Sequence, residues 1–501
     1  MAKLPRMLMI TTPQATHTAE APALRRPEAP SRTGPALVAA VLFVLHCAFA
    51  LRNHARFRTT GYDLGIFGQA VRSWAEGRLP ASEIRTATAP AGFGGEALPL
   101  LGDHFHPVLA LLGPVYRLVP HVEVLLVAQA ALVAVAVYVT GRTAQAHLPG
   151  RPFAGPLVGV ACGLAWGTQT LIGFDFHEVA FALPPLALAC RAYLDGRLRV
   201  AVWWAAALLL VKEDLGATAA VFGLLVAHRA RGLGDRRGRR AGWLLAGGSV
   251  LAAALVLKVV IPGFAPDGRY LYAEQVGGAY GLLDGWPVKA LTVLALLAVT
   301  GGLVVRSPLA WLLLPTLAWR FTSSVPSHWE PGLHYSAVLV PVAFAALVDA
   351  VRRGARPPVP GLRGAGRQGP GPLRAGAPLL VPLGVALLLL PLQPTAQLAT
   401  PGFWRESPRE AAARAAVELV PDGVRVAASN TLAPHLTDRA VVRLAAPGLL
   451  DRDPAVEWLV ADRLDGFPAG AVDGALREAA ADPGWRVVRE EAGIVLLTRV
   501  R

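Results

Sequence analysis

Long apolar stretches alternate with short polar segments along most of the chain. Eleven stretches are long enough, or nearly so, to cross about 30 Å of hydrocarbon as α-helices. They lie at 35–51, 122–140, 154–172, 179–194, 200–212, 215–228, 241–262, 288–305, 308–323, 335–350 and 377–394. A further apolar segment, 106–120, contains Pro107, Pro114 and Pro120. These prolines favour a helix at the membrane surface over a further span.

The composition agrees with a polytopic α-helical membrane protein. Of the 501 residues, 54% are hydrophobic and 16% are charged, whereas soluble domains carry about 25% charged residues. A net charge of +14 would suggest nucleic-acid binding in a soluble protein. Here the basic residues are mostly arginines in short runs between apolar stretches. Arginine-rich loops on one side of a membrane explain this charge, so we expect no nucleic-acid partner.

The arginine distribution predicts the orientation in the plasma membrane. Residues 229–240 contain six arginines and one aspartate, and residues 351–376 contain six arginines and no acidic residue. Both segments are cytoplasmic if the N-terminus is inside. An odd number of spans then places the C-terminus outside the cell. Residues 1–34, which are polar and proline-rich, are expected to form a disordered cytoplasmic tail, and 354–376 a flexible inner loop.

Residues 400–501 differ from the rest, because charged residues return and no apolar run reaches the length of a span. Turn signals and apolar runs predict strands at 424–429, 441–445, 458–461, 485–489 and 494–499, and helices at 407–420 and 471–481. We therefore expect a small extracytoplasmic α/β domain after a transmembrane domain at 35–399. In the small domain, Asn430, His435 and Asp438 are expected to be loop or cap residues rather than a separate active site.

Polar residues at membrane depth are concentrated in five clusters, all in segments that this topology places outside. The clusters are Asp63; Asp103, His104 and His106; Asp175, His177 and Glu178; Lys212, Glu213 and Asp214; and His328, Glu330 and His334. Charged groups at span ends are costly unless they line a site or a cavity. Their occurrence on one face is therefore the strongest functional signal in the chain.

Each cluster also has a local explanation. Asp63 could be the N-cap of a helix at 64–75. Lys212 could form an ion pair with one of its neighbours, Glu213 or Asp214. The histidines near residue 105 could be interfacial residues without a ligand.

Two kinds of chemistry suit the clusters. Asp63 could act as a general base that takes a proton from an acceptor hydroxyl, while a cation offsets the charge of a leaving phosphate. The residues expected to bind substrate or phosphate are Lys212, Arg269, Glu213, Asp214, His328 and Glu330. The other chemistry is binding of a divalent metal ion of unknown identity. Its expected ligands are Asp103, His104, His106, Asp175, His177 and Glu178.

Several motifs, in order along residues 50–500, resemble the predicted membrane proteins called domain of unknown function 2079. They are GYDLGIF at 61–67, GDHFHP at 102–107, FDFHE at 174–178 and KEDLG at 212–216. That family resembles a branch of the GT-C superfamily, membrane glycosyltransferases that use lipid-phosphate sugars. The resemblance implies an acidic residue in the first external loop, which Asp63 matches, and a second in a later loop, which Asp175, Glu178 or Asp214 could match. The usual adjacent acidic pair is absent, because Leu64 follows Asp63.

The function that this resemblance implies is that of a GT-C-like integral membrane glycosyltransferase. It would transfer a sugar from a polyprenyl-phosphate donor to an extracytoplasmic glycan, lipid or protein. The same residues would suit a transporter or flippase of a lipid-linked or polar solute. A non-catalytic scaffold of the cell envelope is a third interpretation. A transporter should have polar residues on both sides of the bilayer centre. The inner loops contain few polar residues besides arginine, which favours catalysis at the outer surface over transport.

Overall fold

A computed structural model of the chain describes residues 32–89, 93–94, 96–275, 283–354 and 372–500. Residues 1–31 of the predicted tail and 355–371 of the predicted inner loop lie outside the described residues. The first helix already begins at Thr33 and another helix begins at Pro372, so the ends of these two predicted segments are helical. From Arg32 onward the chain forms one compact unit.

A helix occupies each apolar stretch that was predicted as a span. The helices are α1 Thr33–Ala55, α2 Ile66–Ala75, α3 Gly113–Leu118, α4 Glu123–His147, α5 Ala154–Gly163, α6 Trp166–Gly173, α7 Leu183–Leu194, α8 Leu198–Ala206, α9 Leu215–Gly232, α10 Arg236–Leu255, α11 Ile261–Phe264, α12 Trp286–Ala298, α13 Leu314–Thr322, α14 Leu339–Gly354, α15 Pro372–Leu389, α16 Pro401–Trp404, α17 Pro408–Leu419, α18 Leu449–Arg452 and α19 Ala471–Ala481. The protein is therefore mostly helical, as predicted.

Within the described residues, four helices are long and apolar enough to cross a membrane. They are Thr33–Ala55, Glu123–His147, Arg236–Phe264 and His334–Gly354. Several other predicted spans are shorter or interrupted; the span at 154–172, for example, breaks at Ala165, which lies outside both α5 and α6. The proline-containing segment Pro107–Leu118 is helical but too short to span. The count of eleven spans stays a prediction.

The C-terminal region contains a five-stranded mixed sheet. Its strands are β3 Arg425–Ala428, β4 Val441–Leu444, β5 Trp458–Asp462, β6 Trp485–Glu491 and β7 Ile494–Arg499, while β1 Ala81–Ser82 and β2 Leu98–Pro99 form a small separate pair. The order of the strands in the large sheet is β4-β3-β5-β7-β6. β3 runs parallel to β4 and β5, and β7 pairs antiparallel with β5 and β6. These bounds confirm the strands and the two longer helices predicted for this region.

The sheet packs against two different cores. On one side, residues such as Leu459 and Trp485 form a core with α19 that belongs to the C-terminal region alone. On the other side, Val442 lies in a core that also contains Ile84 and Leu112, which follow the first long helix. The C-terminal sheet is thus packed directly onto the segment that carries Asp63.

Candidate functional site

The loop after α1 brings Asp63 next to Asp175. The Thr60 hydroxyl lies 3.3 Å from Asp63 Oδ2 and 2.9 Å from Asp175 Oδ2. The Thr60 amide also donates to Asp175 Oδ2, at 2.7 Å. Asp63 is partly exposed, whereas Asp175 is buried. Two carboxylates from different loops therefore share one hydroxyl, which has a single proton to donate.

Asp63 lies in a single π-helical turn, Gly61–Gly65, and not at the cap of α2, which begins only at Ile66. No side-chain capping hydrogen bond forms at the start of either element, so the N-cap explanation of Asp63 is wrong. Such turns are frequent at functional sites.

The end of β3 holds this turn in place. The Gly61 amide donates to the Asn430 carbonyl at 2.6 Å, and the Tyr62 amide donates to Asn430 Oδ1 at 2.8 Å. A Cβ on residue 61 would lie 2.7 Å from Cβ of Ala433, so only glycine allows this approach. Asn430 is a loop residue, as predicted, and it contacts the turn that carries Asp63.

Burial shifts both carboxyl groups toward neutrality. It raises the pKa of Asp63 to about 6, against an ordinary value of 3.8, and the Thr60 hydrogen bond only partly opposes the rise. Burial, followed by the charge of Asp63, raises the pKa of Asp175 to about 7. At neutral pH Asp63 is therefore ionised and more basic than an ordinary aspartate, as a general base requires.

Gln129 on α4 fixes the loop that contains Asp175. Its side-chain NH2 donates to the carbonyl of Asp175 at 2.6 Å, and its side-chain oxygen accepts from the amide of His177 at 2.9 Å. Asp175 has a φ of +43°, a left-handed conformation that costs about 1 kcal/mol or more for a residue other than glycine. The two hydrogen bonds help to hold this conformation.

Glu178 forms a deeply buried ion pair of the site. Its carboxylate oxygens lie 2.7 Å from Lys212 Nζ and 2.7 Å from His177 Nδ1. Burial acts to raise the pKa of Glu178, but His177 and Lys212 outweigh it and hold that pKa well below its ordinary value. The Lys212 side chain remains 13% exposed. Lys212 therefore pairs across two loops, and the alternative explanation, an ion pair with Glu213 or Asp214, is wrong.

Glu213 is bound by the segment around residue 105 instead. Its Oε1 lies 2.6 Å from His104 Nδ1 and accepts from the Tyr270 hydroxyl at 3.2 Å, while Oε2 accepts from the Phe105 amide at 3.0 Å. Burial acts to raise the pKa of Glu213, but His104 outweighs it and the pKa falls to about 2. Glu213 is thus ionised at neutral pH, and it holds the segment around residue 105 in place.

Asp103 is held by a buried arginine. Arg85 Nε and Nη2 donate to its two oxygens at 2.9 and 3.2 Å, and the Tyr272 hydroxyl donates to Oδ1 at 2.8 Å. The Tyr272 ring stacks on His104, with centroids 4.5 Å apart. This stacking joins the Asp103 pair to the Glu213 pair.

Three side chains in this region retain free capacity for a ligand. Asp214 is partly exposed, and its Oδ1 has no hydrogen-bond partner in the described part of the chain. Burial raises the pKa of Asp214 to about 6. Likewise, Nδ1 of the buried His106 and both ring nitrogens of His334 lack partners among the described residues. His334 stacks on His177 with ring centroids 3.6 Å apart.

The predicted metal ligands do not fit one shared ion in this arrangement. Within the described residues, no group of three or more His, Cys, Asp or Glu side chains is placed to hold a metal. The carboxylates of Asp103, Asp175 and Glu178 are already bound to Arg85, Thr60 and Lys212, respectively. His104 and His177 contact other carboxylates. Metal binding by these residues stays a prediction.

Two of the predicted substrate-binding side chains are exposed to solvent. Arg269 and Glu330 are exposed. The carbonyl groups of Glu330 and His328 accept hydrogen bonds from the buried Arg320 at 2.7 and 2.8 Å. His328 itself is half-buried and lies 2.7 Å from the Ser323 hydroxyl through Nδ1.

Five residues that connect the clusters were not predicted from the sequence: Thr60, Arg85, Gln129, Tyr270 and Tyr272. Gln129 stands inside an apolar stretch, where a single amide gives little signal. The two tyrosines gave a weak signal, because they stand in a predicted outer loop. Thr60 and Arg85 belong to ordinary polar loops, and only their positions in the fold reveal their partners.

The chain is similar to one family of proteins and to several solved structures. The model of the family described as "Predicted membrane protein (DUF2079)" matches residues 53–496. No match is found among curated proteins. Among solved structures, the chain is similar to the arabinofuranosyltransferase AftD from Mycobacteria, with 17% identity and a TM-score of 0.48 over 94% of this chain and 40% of that one. It is also similar to ArnT from Cupriavidus metallidurans bound to undecaprenyl phosphate, with 14% identity and a TM-score of 0.49 over 93% and 97% of the two chains. The chain thus spans less than half the length of AftD.

Proposed function

The chain belongs to the DUF2079 family of predicted membrane proteins, and on this premise we propose that it is a membrane glycosyltransferase that uses a polyprenyl-phosphate sugar. The observation that carries the proposal is the position of Asp63. This carboxylate lies in a partly exposed turn shortly after a membrane-spanning helix, and its pKa is about 6. A base at that place can meet both a lipid-linked donor and a water-soluble acceptor.

In the proposed reaction, an acceptor hydroxyl attacks the anomeric carbon of the donor sugar. Asp63 takes the hydroxyl proton as the new bond between the acceptor oxygen and the sugar forms. The bond between the sugar and the phosphate breaks, and the polyprenyl phosphate leaves with the electron pair. A nearby cation lowers the energy of this charge separation.

Lys212 is the cation that we assign to the leaving phosphate. Its Nζ is held at 2.7 Å from Glu178, and its side chain remains 13% exposed, so we expect it to approach a ligand without losing its buried partner. Asp214, with one oxygen free of described partners, suits a sugar hydroxyl that needs an acceptor. The pairs of Glu213 with His104 and of Asp103 with Arg85 hold the surrounding loops together.

We also propose the predicted topology, with eleven spans, a cytoplasmic N-terminus and an extracytoplasmic C-terminal region. Lys212 lies just before the N-terminus of α9. The arginine-rich segment at 229–240 lies at the C-terminal end of that helix. A reporter that is active only in the cytoplasm should be silent when fused after Arg501 and active when inserted at Gly234. Strong activity after Arg501 would place Asp63 and the C-terminal sheet on the wrong side for this reaction.

The proposal is tested by comparing lipids and surface glycans of a strain that lacks the protein with those of its parent. We expect a polyprenyl-phosphate sugar to accumulate in the outer leaflet, and one sugar to be missing from an envelope glycan, lipid or protein. A flippase would instead leave the lipid-linked sugar in the inner leaflet. Unchanged levels of every lipid-linked sugar would contradict the proposal and favour a scaffold.

A further inference from the structure

A second polar feature lies far from Asp63, at the turn that joins α9 to α10. The turn spans only residues 233–235, and Asp235 accepts a hydrogen bond from the Gly238 amide at 2.9 Å, which caps α10. The two helices then run in very close contact. A Cβ on Gly223 would lie 2.5 Å from the Ala246 nitrogen, so no side chain fits between the backbones. Larger side chains are forced to the flanks of this helical hairpin.

One flank contains a groove, here called the hairpin groove. Its volume is about 670 Å³, and it is lined by Leu224, Ala227, His228, Arg231, Arg239 and Trp243. The α9 residues at 224, 228 and 231 follow helical spacing along one face, as do those at 239 and 243 on α10. An adjoining hollow of about 350 Å³ shares Arg231 and Arg239 and adds Arg236. Three arginines therefore converge on one continuous depression.

The positive charge of this groove is not neutralised by the protein. Arg231, Arg236 and Arg239 are exposed, and none pairs with an acidic side chain in the described part of the chain. The Asp235 side chain accepts from the Gly238 amide. Guanidinium groups bind phosphate oxygens through paired N–H donors, so the groove favours a phosphate-bearing ligand.

The apolar part of the groove distinguishes a lipid from a soluble anion. Arg236–Phe264 is long and apolar enough to cross a membrane, and Trp243, one turn after Arg239, is 60% exposed. Leu224 in the groove is also exposed, and so is Leu251 farther along α10. Tryptophan prefers the membrane–water interface. The hairpin has arginines at its end, and tryptophan and leucine follow along its side. This order matches a phospholipid, in which a charged headgroup is followed by apolar acyl chains.

The groove and the Asp63 site lie toward opposite ends of α9. This helix begins directly after Asp214 and extends to Gly232, a length of 18 residues. At 1.5 Å per residue it is about 27 Å long, close to the thickness of the hydrocarbon core. With the arginine-rich end in the cytoplasm, the groove lies at the inner leaflet, where anionic headgroups attract basic residues.

We propose that the hairpin groove is a binding site for an anionic phospholipid of the inner leaflet, with Arg231 and Arg239 on the phosphate and Trp243 against the glycerol and acyl region. This site is independent of the reaction proposed for Asp63. It would anchor the α9–α10 hairpin at a fixed depth in the membrane.

The test is native mass spectrometry of the full-length protein, titrated with phosphatidylglycerol or with phosphatidylcholine of the same acyl chains. We expect preferential binding of phosphatidylglycerol. The double variant Arg231→Gln, Arg239→Gln should bind it about 25-fold more weakly, since each arginine near an anionic lipid contributes about a fivefold factor. The matched control is Arg237→Gln, Arg240→Gln, which removes the same charge from exposed residues that do not line the groove.

The control variant should change the affinity for phosphatidylglycerol by about twofold at most. The charges that it removes act on the lipid only across solvent, where salt screens them. All four arginines are exposed, so both variants should fold and melt like the wild type. Equal weakening in the two double variants would overturn the proposal in favour of unspecific charge attraction. Equal binding of both lipids, or full displacement of phosphatidylglycerol by millimolar inorganic phosphate, would also overturn it.

Discussion

Replacement of Asp63 by Asn is expected to lower the rate of sugar transfer by roughly 100-fold or more, because loss of a general base typically costs about 10²–10⁴ in rate. Asn keeps the size of the side chain and can still accept from the Thr60 hydroxyl, which lies 3.3 Å from Oδ2. It cannot take a proton from the acceptor. The measurement is transfer from the donor that accumulates in the deletion strain, using membranes with equal amounts of protein.

The pH dependence separates a base from a structural residue. Asp63 must be ionised to act, so the wild-type rate should fall as the pH drops through about 6. An ordinary aspartate would keep its activity down to about pH 4. The residual activity of Asp63→Asn should lack this transition.

As the pH rises, the stability of the folded protein should fall while the rate of transfer rises. The pKa of Asp63 is higher in the folded protein than its ordinary value of 3.8, so between about pH 4 and 6 the folded state binds more protons than the unfolded state. The Asp63 contribution to folding is therefore lost as the pH rises through this window. Asn has no charge to bury, and the variant should be at least as stable as the wild type at pH 7.

A matched control for Asp63→Asn is Asp267→Asn, which makes the same chemical change at an exposed position. This variant should retain wild-type transfer. If a well-expressed Asp63→Asn protein restored the envelope glycan of the deletion strain completely, Asp63 would not be the base, and the transporter or scaffold interpretations would lead.

Replacement of Lys212 by Met should strongly destabilise the folded protein. It removes the cation 2.7 Å from Glu178, whose side chain is 1% exposed. Breaking one half of a buried ion pair costs about 3–5 kcal/mol, because the remaining charge stays buried without its partner. The free energy of unfolding, measured by denaturant in mixed micelles, should fall by that amount.

A double variant separates the structural role of Lys212 from its role toward phosphate. In Lys212→Met, Glu178→Gln no charge is left without its partner, so most of the lost stability should return. The transfer rate should stay low, because the cation proposed for the leaving phosphate is absent. A single Lys212→Met variant that unfolds like the wild type would show that Glu178 does not depend on this pair.

The amino-acid sequence determined the local structure of this protein. Apolar runs of helical length became helices, and short apolar runs bounded by turn residues became the strands of the C-terminal sheet. The hairpin of β6 and β7 and the helix Ala471–Ala481 occur where they were predicted. These elements depend on the spacing of apolar residues, which can be read directly from the sequence.

Only the tertiary structure decided which polar groups are partners. Lys212, Glu213 and Asp214 are adjacent in sequence, but their side chains diverge, so Lys212 pairs with Glu178 and Glu213 with His104. Such pairs join loops that are far apart along the chain, and no sequence spacing encodes them.

The same is true of the site that Asp63 shares with Asp175. The sequence identified both carboxylates, yet their pKa values depend on burial and on a hydroxyl shared through Thr60. The C-terminal sheet also had no predicted link to this turn, although Asn430 binds it through backbone and side-chain oxygens. Burial and mutual distance arise only when helices and sheet pack together, so the chemistry of the carboxylates was decided by the fold.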